Sequence, residues 1–310
     1  MMATVKKTCA RQKRYDITGW LFCLPAILFG AVFLIAPIVM AFAFSFTDYN
    51  TVRTSVHFVG LQNYADLFRN AVFGKAIMNT IQFAVFVVPL QCGLALLLAL
   101  LVNHTGKGFG IFKLAYFAPV ITSMTVVALL FQNFYARDGL FNIILGMLGL
   151  PKQGFLNDPG QAMYSIIFMS AWQGAGYQMI ILLAGLQNVQ PELYEAASLD
   201  GAGAWQKFRN VTLPGILSVA QFVLLITVIG AFKLFTQPFI MTQGGPSNST
   251  KTVVLYIYER GMQDNQVGIG SAIAMLFTLA FVVANIIGKA GGKLAGVYRR
   301  KRDEFIEECI

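Results

Sequence analysis

Acidic residues are scarce in this chain of 310 residues. Only 12 % of its residues are charged, where a soluble domain carries about a quarter. Fourteen Asp and Glu stand against 23 Lys and Arg, and none of the fourteen falls inside the long apolar runs described below. Ion-coupled carriers usually bind their driving ion through intramembrane carboxylates or broken helices, so this absence argues against one. Histidine is nearly missing as well. His57 and His104 are too few and too far apart for a zinc centre or a Ser-His-Asp or Cys-His arrangement. Cys9, Cys23, Cys92 and Cys309 show no Cys-x-x-Cys spacing, and two of them lie inside apolar runs, which argues against a disulfide framework or a metal site. The Gly-Lys pairs at 74–75, 106–107, 288–289 and 292–293 lack the earlier glycine and the following Ser or Thr of a phosphate-cradling loop. The chain therefore offers no ATP site, and the missing catalytic clusters argue against a membrane-embedded enzyme.

What it has in abundance is apolar length. Hydrophobic residues make up 56 % of the chain, and a membrane span needs about 20 of them in succession. Six stretches qualify: Trp20 to Phe46, Ala76 to Val102, Ile111 to Phe134, Ala162 to Leu186, Ile216 to Met241 and Gly268 to Ile287. The expected fold is thus an all-α integral membrane protein of six transmembrane helices. Pro25, Pro37, Pro89 and Pro119 lie inside these runs, where neighbouring helices can satisfy the carbonyls that proline frees. The first run is too long for a signal peptide and no small-residue cleavage site follows it, so it reads as a retained anchor. Gly139 to Leu150 is apolar but too short to span, and reads as an interfacial or re-entrant piece.

Six spans put both tails on one side. That side then carries fifteen of the basic residues, including Lys6, Lys7, Arg11, Lys207, Arg209 and the cluster Arg299 to Arg302; the other carries seven, and Lys233 remains inside the fifth span. The positive-inside rule makes the fifteen-residue side cytoplasmic. The net charge of +9 is concentrated in the tails rather than on one face, so it does not point to nucleic acid. The expected organisation is a cytoplasmic tail at 1–19, a six-helix domain at 20–291 and a second cytoplasmic tail at 292–310.

Between the fourth and fifth spans, on the cytoplasmic side, lies a polar loop (187–214) built around Pro191-Glu192-Leu193-Tyr194-Glu195-Ala196-Ala197-Ser198-Leu199-Asp200-Gly201-Ala202 and closed by Val211-Thr212-Leu213-Pro214. Pro191 suits a first helical position, Glu192 and Glu195 suit the positive end of the helix dipole, and Gly201 suits a left-handed helix stop. Ala196 and Ala197 leave one side of the helix almost without bulk. Glu-Ala-Ala, three residues, Gly, nine residues, a branched aliphatic, one residue, Leu-Pro: this spacing resembles the coupling loop of binding-protein-dependent ABC importer permeases, with Val211 where isoleucine is usual. The flanking IILLAGLQNVQ and Asp200-Gly201-Ala202 resemble the carbohydrate-uptake branch, of the maltose-transporter type; Val59 to Phe68 resembles a periplasmic stretch of the same family, and Gly244-Gly245-Pro246 its Gly-Gly-Pro turn.

The resemblance implies a permease subunit that imports a sugar or oligosaccharide; a glycerol-phosphate or another small polar anion is the alternative. It implies a second permease as heterodimer partner, two ATPase subunits that use ATP and Mg2+, and an extracellular solute-binding protein, with no cofactor on this chain itself. Glu192, Glu195, Ala196, Ala197, Asp200 and Gly201 are then the ATPase-docking residues. Substrate contacts are expected from polar and aromatic side chains inside the spans: Trp172, Gln173 and Tyr177 in the fourth, and Lys233 and Gln237, one helical turn apart, in the fifth. Aromatic faces stack on sugar rings and amides bond hydroxyls. Each of these also has a plainer reading, as an interfacial aromatic belt, an interhelical amide bond, or a lysine that snorkels or pairs with a partner subunit.

Overall fold

The computed structural model describes residues 20–53, 55–103, 116 and 118–283. Among these the chain is helical, with an isolated bridge between Thr47 and Phe58 as its only β pairing. Four helices are long and apolar enough to cross a membrane: α1 (Trp20–Phe44), a helix at Ala71–Val102, a helix at Ala162–Gln187 and the stretch Leu217–Met241. Two shorter apolar helices, Met124–Phe134 and Val267–Val283, stand where the third and sixth spans are expected. The expected starts and ends at 111–115 and 284–287, and both tails, lie outside the described residues. The described residues form two compact units, one of those up to Leu67 with those from Ile257 onward, the other Phe68–Tyr256.

In the first unit α1 changes to a π-helical turn at Ala31–Ile35 just before Pro37. Proline has no N–H to give to the carbonyl four residues back, and its ring crowds that turn. The wider turn absorbs both effects. The end of α1 is closed by α2 (Gln62–Arg69), which contains most of the Val59 to Phe68 stretch. The buried Asn63 amide donates to the carbonyls of Ser45 (2.9 Å) and Thr47 (2.8 Å), and the Tyr64 hydroxyl donates to Ser45 Oγ. These bonds take up carbonyls left open where α1 stops.

The second unit is organised by α3 (Ala71–Val102), α4 (Met124–Phe134), α5 (Leu140–Met147) and α6 (Ala162–Gln187). The Asn70 side chain caps α3 by accepting from Val72 N and Phe73 N, so the helix begins five residues before the apolar run that announces it. Ala95 and Ala99 of α3 and Ala171 and Ala175 of α6 are fully or almost fully buried. Small side chains let helix backbones approach closely where lipid supplies no hydrophobic drive. Two apolar clusters result. One gathers Phe83, Val87, Phe131, Tyr135, Met163, Ile166 and Met169. The other gathers Ala99, Val102, Met179, Leu182, Leu186, Ile216 and Val223. The short apolar stretch Gly139 to Leu150 contains α5, whose Phe141 packs on Phe131, Tyr135 and Phe155.

The loop after α6 forms α7 (Pro191–Leu199) and α8 (Ala204–Lys207), the latter running into a π turn at Phe208–Thr212. The fifth span is not one helix. It divides into α9 (Leu217–Phe232) and α10 (Thr236–Met241), with Lys233, Leu234 and Phe235 outside both. The expected span Ile216 to Met241 is present but interrupted, and a physical reason is visible: Pro238 has no N–H to give to the Leu234 carbonyl four residues back. The carbonyl of Leu234, freed by the break, accepts the Thr252 hydroxyl at 2.8 Å. Thr252 sits just past the Gly244-Gly245-Pro246 turn, and that segment is itself pinned to α3, with Asn79 donating to the carbonyls of Asn248 and Lys251 and Thr80 Oγ1 accepting from Val253 N. The segment after the turn thus gives the Leu234 carbonyl the partner that the broken helix withholds.

Candidate functional site

Both proposed sites lie inside the unit Phe68–Tyr256. The loop helix α7 begins at Pro191, as its missing N–H permits, with Glu192 in the first turn. It ends as a two-bond Schellman cap: Ala202 N donates to Ala197 O at 2.9 Å and Gly201 N to Ser198 O at 3.1 Å. Gly201 has φ +75° with no atom within 4 Å of where a Cβ would stand. Any other residue there meets backbone strain and no steric obstacle.

None of the α7 side chains is buried. Glu192, Leu193, Glu195, Ala196, Leu199 and Asp200 are exposed, Leu199 to 89 %, and Trp205 just beyond is exposed to 70 %. Tyr194 and Ala197, three residues apart, face the other way and are half-buried. The structure therefore separates the two alanines: Ala196 is on the open side with the carboxylates, and Ala197 is on the side of Tyr194. Tyr194 fixes the helix to the spans. Its hydroxyl lies 3.0 Å from Thr212 Oγ1, at the entry to α9, and its ring packs on the cluster around Leu182 and Ile216. Lys207 Nζ donates to Ser198 Oγ at 2.7 Å and closes the loop on itself. An exposed face of carboxylates, one alanine and two leucines, rigidly attached to two membrane helices, can be pushed as a lever by whatever covers it.

The second unit also holds a cavity of about 470 Å3, walled by apolar residues such as Phe83, Val87 and Leu234 and by a layer of polar ones. Its lining includes Gln91 from α3, Ser170, Gln173, Gly174, Tyr177 and Gln178 from α6, Thr227 from α9, Lys233 in the break, and Gln237 from α10. Gln173, Tyr177, Lys233 and Gln237 are thus brought together, although Lys233 and Gln237 do not share one continuous helix. Trp172 is not among the lining residues. It packs on Phe131, ring centres 5.3 Å apart, with much of its surface exposed.

Sequence reasoning missed Gln178 and Thr227, which line the cavity with Gln91. Gln178 Nε2 donates to Thr227 Oγ1, which itself donates to Val223 O at 2.6 Å. Gln178 Oε1 and Ser170 Oγ are buried and have no hydrogen-bond partner among the described residues. The signal that could have found them is a polar residue facing the same way as Gln91 and Thr227 across three otherwise apolar helices. Thr227→Val removes the acceptor for a buried amide that has no other partner. The expected cost is about 1–3 kcal/mol, read as a lower midpoint of thermal unfolding in detergent against Thr227→Ser, which keeps the hydroxyl.

A second cavity, about 520 Å3, lies beneath α5 among Tyr135, Phe141, Ile144, Leu145, Phe155, Tyr164 and Phe168. Its polar groups are engaged with one another: Gln161 Nε2 donates to Gln153 Oε1, Phe155 N to Gln161 Oε1, and the Tyr135 hydroxyl to Ser165 O. A hydroxyl-rich solute would find few hydrogen-bond partners there, so the polar-layer cavity is the better candidate for one.

Residues 58–292 match the family described as binding-protein-dependent transport system inner membrane component. This chain belongs to that family. Among its relatives, the permease is 36 % identical over 263 residues to the lactose transport system permease protein LacF of Rhizobium radiobacter, covering 83 % of this chain and 87 % of that one. It is 34 % identical to the arabinooligosaccharides transport system permease protein AraP of Bacillus subtilis, covering 90 % and 89 %. Its fold matches a chain in the crystal structure of a bacterial alginate ABC transporter in complex with an alginate pentasaccharide-bound periplasmic protein, with TM-score 0.77, 25 % identity, and 88 % of the permease and 93 % of that chain covered. The permease is accordingly a membrane-embedded transport subunit, and the loop spacing around Glu195 was a sound guide to its family.

Proposed function

We propose that this permease carries a sugar or oligosaccharide, handed over by an extracellular binding protein, through the cavity between α3, α6 and α9, driven by ATP hydrolysed on separate subunits. The observation that carries the reading is mechanical. The exposed helix α7 and the polar cavity belong to one compact unit and share α6 and α9, which enter and leave the loop. The names of the relatives, lactose and arabinooligosaccharide permeases, support a saccharide.

In this mechanism two ATPase subunits close on ATP and Mg2+, and one of them grips the open face of α7. Glu192, Glu195 and Asp200 present charge to its basic groups or backbone amides, Ala196 allows close approach, and Gly201 makes the turn that returns the chain. Tyr194 and Thr212 transmit the displacement to the start of α9, and the packing of Leu182, Leu186 and Ile216 transmits it to α6. The two helices tilt together and switch which side the cavity faces. A second permease forms the heterodimer that closes the cavity's open flank, and both tails lie on the cytoplasmic side of a bacterial inner membrane, a reading that the distribution of basic residues supports. Gln91, Gln173, Gln178 and Thr227 supply donors and acceptors for hydroxyls, with Tyr177 as a stacking face.

The test is uptake into proteoliposomes that contain this chain, its companion permease and the ATPase, with purified binding protein and a panel of sugars. Uptake is expected to require both ATP and the binding protein. Uptake driven by an ion gradient alone would reject the mechanism. A small anion such as a glycerol phosphate is the second reading, and the cationic Lys233 on the cavity wall is the observation in its favour.

A further inference from the structure

We infer that Gln178 offers the passing solute a fixed hydrogen-bond acceptor, so that the permease selects sugars with a free hydroxyl at one position and turns away groups that cannot donate there. The inference rests on the transport reading above and narrows its substrate class. Gln178 lines the cavity from α6. A glutamine amide donates at one end and accepts at the other, and its neighbours decide which end is which. The Thr227 hydroxyl has a single proton. It lies 2.6 Å from the carbonyl of Val223, a separation at which two oxygens need a proton between them. That proton is therefore committed, and Thr227 Oγ1 can only accept from Gln178. Nε2 of the amide accordingly faces Thr227, and Oε1 is the end left for the cavity.

No described residue donates to Gln178 Oε1, and the residue is only 3 % exposed. A buried acceptor left unmet is costly, and a solute hydroxyl removes that cost. A deoxy carbon, an ether oxygen or a fluorine in the same place does not. A carboxylate or phosphate oxygen adds repulsion, because it is an acceptor facing an acceptor. A site built around such a bond rejects the analogue that lacks it far more sharply than an apolar pocket rejects a missing methylene. Ser170 Oγ belongs to the same cavity wall and is also buried without a partner among the described residues. Its hydroxyl rotates and can donate or accept, so it tolerates either kind of group. The selectivity therefore belongs to Gln178, and Thr227 acts here as a positioning residue for its amide.

The experiment uses the complete transporter in proteoliposomes with lactose, arabinotriose and maltotriose, and takes the sugar carried fastest together with its mono-deoxy and mono-deoxyfluoro analogues. Fluorine fills the place of a hydroxyl and cannot donate. Uptake is measured at saturating loaded binding protein, so that the binding protein's own preference cancels. The expected result is that at one ring position wild type carries the parent sugar at least tenfold faster than both analogues. Gln178→Ala should carry all three within about threefold of one another. Thr227→Val, which frees the amide to turn, should lose the same preference, and Thr227→Ser should keep it. These are ratios within one variant, so a general loss of folded permease does not imitate them, and the Thr227 pair decides should Gln178→Ala fail to fold. Wild type that is indifferent at every position overturns the inference and leaves the transport reading standing. So does a deoxyfluoro sugar carried as well as its parent where the deoxy sugar is refused, because the wall then donates. Gln178→Ala slowing parent and analogues by one common factor also overturns it, since the glutamine then only packs. Absence of uptake for every sugar, with ATPase docking intact, removes the transport reading and this inference with it.

Discussion

Ala196→Trp is expected to abolish ATP-driven uptake while leaving the permease folded. Ala196 is exposed on α7 beside Glu192, Leu193 and Leu199. Among the described residues this position is open, and alanine and tryptophan differ only modestly in helix propensity. The thermal midpoint of the isolated permease should therefore hardly move. If the open face of α7 is the surface an ATPase grips, the indole wedges the two apart. A misfit of this kind at the centre of a contact costs about 3 kcal/mol, roughly a hundredfold in docking. ATP hydrolysis by the assembly should lose its stimulation by loaded binding protein, and the ATPase should co-purify poorly. The control is Ala197→Trp. Ala197 faces Tyr194 and is half-buried, so bulk there should strain the Tyr194–Thr212 attachment and lower the thermal midpoint as well. Normal coupling in Ala196→Trp would mean that this face touches no engine.

That contrast between neighbouring alanines also marks how far the sequence could be read. The loop helix was legible to the residue at its ends, because Pro191 and Gly201 act through local backbone chemistry that no distant contact overrides. The four long spans were legible because length and apolarity are themselves the requirement for crossing a bilayer. Which side of α7 faces outward was not legible, since that depends on Tyr194 finding Thr212, a pairing made by the return of the chain after α8. The break after Lys233 was partly legible. Pro238 lies in the run Ile216 to Met241 and has no N–H for the Leu234 carbonyl four residues back, whereas the bond that takes up that carbonyl comes from Thr252, beyond the Gly244-Gly245-Pro246 turn, and could not be read locally. The cavity was half legible. Gln173, Tyr177, Lys233 and Gln237 announced themselves as polar groups in apolar surroundings, whereas Trp172 did so equally and belongs with Phe131. An aromatic residue suits a core, a lipid boundary or a sugar, and only its neighbours decide.

Two glycines on α6 should give opposite kinds of defect. A Cβ on Gly176 would collide with the backbone carbonyl of Tyr116 and stand 2.9 Å from the Val120 side chain. Neither can yield without moving a helix segment, so Gly176→Val is expected to destabilise by about 3 kcal/mol, at the upper end of overpacking costs, and to lower the yield of folded permease. A Cβ on Gly174 would meet only the amide end of Gln91. That amide is the far end of a flexible side chain that already lines the cavity, so it can swing aside at little cost. Gly174→Ala should therefore fold with a thermal midpoint close to wild type, yet hold the Gln91 amide in a new position within the polar layer. Its expected signature is weaker substrate affinity, of the order of tenfold for one displaced hydrogen-bonding group, with maximal rate and ATPase coupling retained. Shortening the displaced side chain in the double variant Gly174→Ala with Gln91→Ala should likewise fold normally without recovering affinity. If Gly174→Ala instead leaves affinity unchanged, Gln91 is a helix-to-helix bond and the solute passes elsewhere.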